Sequence, residues 1–161
     1  GGLLAGSMLA FFTNKLLLIP GLLVLIPGFL EMRGNISGSL SARLSSALHL
    51  GTLSPNSRNN KFLRSNILAS WILVVLVSVI LGIVAYLAIL IFFKVSEPRI
   101  IYVSFVAAII SNIIILPLTT HTTIWLFKKG YDPDDIMGPY NTSIGDITSV
   151  LSILVAILII T

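Results

Sequence analysis

Two uncharged stretches, residues 65–93 and 100–127, constrain this chain more than any other feature. They hold 29 and 28 residues without one Asp, Glu, Lys or Arg, and about 20 apolar residues already let a helix cross a ~30 Å hydrocarbon layer. A buried helix of a soluble domain does not need such length. The remainder agrees: 56% of residues are hydrophobic and 10% charged, with a mean hydropathy of +1.03. This composition is that of an integral membrane protein, all-α because a span must satisfy its own backbone hydrogen bonds. There is no cysteine, which excludes a disulfide framework, a thiolate metal site and a cysteine nucleophile. The net charge of +4 lies in short connections between apolar runs. That placement suits membrane orientation and gives no footprint for nucleic acid.

The pattern predicts five transmembrane helices in a single domain of residues 1–161: 2–18, 20–51, 65–93, 100–127 and 133–161. The first turns near Asn14-Lys15 or near Pro20, where a proline disfavours helix in the residue before it. The second is expected to break within residues 33–38. Gly34 and Gly38 weaken the helix there, and Asn35 offers hydrogen bonds to freed backbone groups. Ser37, Ser41 and Ser45 recur every four residues beyond the break, a stripe suited to close helix packing. Ser78 and Gly82 form a second small-residue pair, and Pro117 is expected to kink its helix. Asp132 reads as an N-cap, with Pro133 at the first helical position and acids at the positive end of the dipole. With the N-terminus in the cytoplasm, Arg58, Lys61, Arg64, Lys128 and Lys129 fall inside and Lys15, Lys94 and Arg99 outside, leaving the C-terminus outside a plasma membrane. No basic n-region precedes Leu3, so no cleavable signal peptide is expected.

Asp146 is the acidic residue that interrupts the final apolar run. A helix entering the bilayer near Ile136 places it about 15 Å deep, the middle of the hydrocarbon layer. A charge there costs at least about 2.5–3.5 kcal/mol and faces a cavity, a partner or an ion. Helical spacing puts Thr142 four residues before it and Ser149 three after, a set of hydroxyls beside the carboxylate. Gly145 leaves room for another backbone. A purely structural carboxylate bonded to Thr142 or Ser149 stays open at this point.

The segment Asp132-Pro133-Asp134-Asp135-Ile136-Met137-Gly138-Pro139-Tyr140-Asn141-Thr142-Ser143-Ile144-Gly145-Asp146 resembles the opening of the last helix in the MgtE family of magnesium transporters. A second segment, Ile26-Pro27-Gly28-Phe29-Leu30-Glu31-Met32-Arg33-Gly34-Asn35 followed by Ser41-Ala42-Arg43-Leu44-Ser45, resembles that family's second helix. It looks closest to the eukaryotic solute-carrier branch, where a basic residue also precedes Gly-Asn. The resemblance implies a five-helix domain that dimerises, or is duplicated in one chain, around a central pore for a divalent cation. It implies Asp146 as the ion-site carboxylate, with Thr142 and Ser149 beside it. Gly138, Pro139, Asn141 and Gly145 contribute backbone near the ion, and Gly34 and Asn35 line the path. Arg33 departs from the bacterial pattern, in which a small glycine is usual.

The chemistry agrees with that implication. Mg2+ keeps several waters and needs one or two carboxylates besides hydroxyls and carbonyls. Two Asp146 carboxylates across a two-fold axis repel when empty, which a divalent cation relieves, so a homodimer is expected. Because the bound ion is the only partner foreseen for Asp146, Asp146→Asn is expected to reduce transport strongly without harming stability. Two further readings remain: a non-transporting scaffold subunit, and a membrane hydrolase, for which no second catalytic group is evident. No enzyme activity is expected. Glu31 and Arg33 read as structural groups paired with other helices. His121 reads as a hydrogen-bonded packing residue, and with His49 it forms no zinc motif.

Overall fold

The apolar runs fold as helices in the computed structural model, which describes residues 2–13, 19–56 and 60–160. The helices are α1 (Gly2–Phe11), α2 (Leu22–His49), α3 (Lys61–Phe93), α4 (Arg99–Lys128) and α5 (Pro133–Ile160), with no strand among the described residues. The expected turn at Asn14-Lys15, and the charges of Lys15 and Arg58, lie outside the described residues.

Their ends follow local chemistry. Gly21 enters α2 with a left-handed φ of 89°, a conformation that glycine adopts without steric cost. The Asn60 side chain caps α3 by accepting from the Phe62 N–H at 2.8 Å. Gly130, at φ 82°, closes α4: its N–H donates to the Phe127 carbonyl and that of Tyr131 to Leu126, the double bond pattern of a glycine-terminated helix. Asp132 accepts from the Asp134 N–H at 3.0 Å, the N-cap contact expected for it. Between α3 and α4, Arg99 donates to both carboxylate oxygens of Glu97 at 2.7 and 2.8 Å. That hydrogen bond holds the Glu97 carboxyl below its ordinary range. The turn therefore keeps this contribution above ordinary carboxylate pH and loses it as pH falls through the depressed value.

Among the described residues three helices, α3, α4 and α5, are long and apolar enough to cross a membrane. α2 equals α5 in length at 28 residues, but Glu31, Arg33 and Arg43 make it more polar. It lies against α3, α4 and α5 and buries Leu22, Leu25, Phe29, Leu40 and Leu44 completely. α1 has ten residues, about 15 Å of helix, and packs on α5. The five helices thus differ in character, and long apolar composition belongs to three of them.

The break expected at residues 33–38 is absent, for α2 is continuous from Leu22 to His49. The Asn35 amide bonds the Glu31 carboxylate one turn back at 3.2 Å instead of freed backbone groups. Ser37 and Ser41 donate back to the carbonyls of Gly34 and Gly38. A mid-helix glycine costs about 1 kcal/mol relative to alanine, whereas each unsatisfied backbone group in lipid costs several. Continuity wins that comparison. α4 likewise runs as helix through Pro117.

α3 turns Leu68, Ile72, Leu76, Ile80 and Ile91 outward and packs a narrow seam of Ser70, Val74, Ser78, Gly82 and Ala85 inward. Ser104 of α4 donates to the Ser78 carbonyl at 2.7 Å. A Cβ on Gly82 would lie 2.8 Å from the Ile101 Cα and 3.1 Å from the Ser104 Cβ, so the two backbones meet where Ser78 and Gly82 allow it. Gly82→Val is expected to destabilise the protein by about 1–3 kcal/mol through overpacking. Thermal unfolding in detergent measures this. An unchanged midpoint would mean that the contact can relax without cost.

Candidate cation site

α2 and α5 are held together by charge. Arg33, 1% exposed, donates through Nη2 to Oδ1 of Asp146 at 3.0 Å, and the Asp146 side chain is 17% exposed. The other arm of the guanidinium, Nη1, donates to the Asn141 carbonyl at 2.9 Å. Gly145 makes the approach possible, because a Cβ at that position would overlap Nη1 and Cζ of Arg33. The guanidinium thus spans one turn of α5, from the residue 141 carbonyl to the residue 146 carboxylate. Its Nε meets no acceptor among the described residues.

Asn141 joins three helices. Its side-chain oxygen accepts from Thr119 of α4 at 3.0 Å, and its amide reaches Ser41 of α2 at 3.5 Å. With α2 and α5 so registered, Ser41 lies level with Asn141 and Arg33 level with Asp146. Buried polar groups in a membrane interior require such partners.

The hydroxyls expected beside the carboxylate make no hydrogen bond to it among the described residues. Thr142 is exposed and donates to the Gly138 carbonyl of its own helix at 3.0 Å, the usual back-bond of a helical threonine. Ser149 is fully buried, with no hydrogen-bond partner among the described residues. Gly138, Pro139 and Asn35 are exposed, Gly34 is half-buried, and Asn141 and Gly145 are buried. His121 is exposed beside Trp71 and Pro117, not hydrogen-bonded in the interior.

Arg33 is the partner that sequence reading missed for Asp146, 113 residues away. A signal was available. Asp146 stood within an apolar helix, Arg33 offered the opposite charge in another, and each needed a partner at membrane depth. At the other end of α2, His49 lies 3.4 Å from Asp132 and edge-on to Phe127.

A polar seam between long apolar helices, with a carboxylate partly open at its middle, defines an integral membrane protein built around a charged interior site. A family model described as MgtE, divalent cation transporter, matches residues 26–156. The chain belongs to that family of divalent cation transporters. No solved structure matches it.

Proposed function

We propose that this chain moves Mg2+ across the membrane through a pathway between two copies of itself, and that Asp146 is the carboxylate that meets the ion. Residues 1–161 act in this reading as one membrane domain. The observation that carries it is the partly open Asp146 side chain midway along a membrane-spanning helix. The exposed residues of α2 and α5 include the polar or small Glu31, Asn35, Gly138, Thr142 and Ser143. Lipid solvates such residues poorly, whereas water or a second copy satisfies them. Among the described residues no three His, Cys, Asp or Glu side chains come together. One copy therefore offers a half-site, and a two-fold axis doubles the carboxylate. Mg2+ retains its waters and accepts few protein ligands, where Ca2+ takes six to eight oxygens, so a sparse site favours Mg2+. Gly34 and Asn35 line the approach, and the Gly138 and Pro139 backbone leaves it room, while Gly145 leaves room for the Arg33 guanidinium. Lys61, Arg64, Lys128 and Lys129 face the cytoplasm of a plasma-membrane protein.

The Arg33 pair favours a second reading, a non-transporting subunit in which Asp146 is already neutralised. Mg2+ uptake into proteoliposomes separates the two, with crosslinking in lipid for the oligomeric state. Uptake by a crosslinkable dimer is expected. No uptake would support the subunit reading, and monomers alone would remove the two-copy pathway.

A further inference from the structure

We propose that Arg33 is a tethered cation that competes with the transported ion for Asp146, so that the site loads a divalent ion only when the guanidinium withdraws. This rests on Asp146 being the ion-site carboxylate.

The geometry is that of an occupied but releasable site. A guanidinium commonly grips a carboxylate through two parallel hydrogen bonds, the strongest form of the pair. Arg33 instead commits a single nitrogen to Asp146, gives its other arm to the Asn141 carbonyl, and leaves Nε without an acceptor. The exposure is lopsided too, with Arg33 at 1% and Asp146 at 17%. The cation sits on the protein side of the carboxylate, and the open side belongs to whatever enters from the pathway. A 2+ ion and a guanidinium within a few ångströms repel strongly where the effective dielectric is low, so each weakens the other at the shared carboxylate. Asn141 supplies a backbone acceptor that still holds one arm when the other lets go. The guanidinium fits against Gly145 in space that a Cβ would fill.

Competition of this kind also sorts ions by charge. A monovalent cation offers the carboxylate no more charge than Arg33 already does, whereas a divalent one offers twice as much. Arg33 then raises the threshold for every ion and excludes monovalent ones most.

The test is Mg2+ titration of the thermal midpoint of the detergent-solubilised dimer, because a ligand that binds the native state stabilises it by mass action. Arg33→Gln, which keeps hydrogen-bonding capacity and loses charge, is expected to lower the half-saturating Mg2+ concentration about tenfold or more. Arg33→Lys, which keeps the charge, should stay within about threefold of the unsubstituted protein. Gly145→Ala denies the guanidinium its cradle with both charges retained, and should shift in the direction of Arg33→Gln. It decides the matter should Arg33→Gln fail to fold. Unchanged or weaker Mg2+ response in both Arg33→Gln and Gly145→Ala, with the response lost in Asp146→Asn, overturns the competition and leaves Asp146 as the site. So does an equal gain in Arg33→Lys and Arg33→Gln, which marks a structural role. A full Mg2+ response in Asp146→Asn overturns both readings together.

Discussion

Asp146→Asn is expected to destabilise the metal-free protein, by about 3 kcal/mol, although the sequence alone argues for no loss. The difference lies in Arg33. Removing one member of a buried ion pair leaves the other charge uncompensated, which costs about 3–5 kcal/mol. Asparagine keeps an acceptor oxygen for Nη2, and Asp146 is partly open, so the lower end applies. For a chain of this size each 1 kcal/mol moves the midpoint by about 2–4 °C, giving a fall of roughly 6–12 °C. Adding Arg33→Met to Asp146→Asn should recover most of it, because two apolar or neutral groups replace a buried pair at little cost. A single variant as stable as the parent would mean that the pair does not hold α2 to α5.

Gly145→Ala is expected to destabilise the protein through the side chain packed against that glycine. Its Cβ would occupy space filled by Nη1 and Cζ of Arg33, a side chain that is buried and hydrogen-bonded at both arms. The guanidinium has to leave Asp146 or push the helices apart, for a loss of about 1–3 kcal/mol from overpacking, plus part of the ion pair. Shortening Arg33 to Ala in the same chain removes the clash, so the two losses should add to less than their sum. Thermal unfolding of the four proteins checks this. Strict additivity would show that Gly145 and Arg33 do not share the space.

These outcomes mark where the sequence was readable and where it was not. α3 and α4 were expected at 65–93 and 100–127 and lie at Lys61–Phe93 and Arg99–Lys128, because an uncharged run and its flanking bases report a span almost by themselves. The start of α5 was equally plain, since Asp132 caps it through a contact two residues away. The continuity of α2 was not legible. Local propensity at Gly34 and Gly38 argues for a break, and the opposing term, the need to satisfy backbone groups away from water, depends on packing that one segment does not reveal. Helical spacing aligned Thr142 with Asp146, yet spacing does not say that a threonine will turn to its own backbone. The carboxylate was identifiable from depth alone. Its partner required the fold, because only the packing of α2 on α5 brings residues 33 and 146 together.

Mg2+ flux through reconstituted Asp146→Asn, set beside the unsubstituted protein at equal amounts of folded protein, bears on the proposed cation site itself. Asparagine is nearly isosteric but carries no charge to offset the water that a 2+ ion sheds. Flux in the variant is expected to fall at least about tenfold, since a lost charge interaction of only 1.4 kcal/mol already changes an equilibrium by that factor. Undiminished flux through the folded variant would contradict Asp146 as the residue that meets the ion.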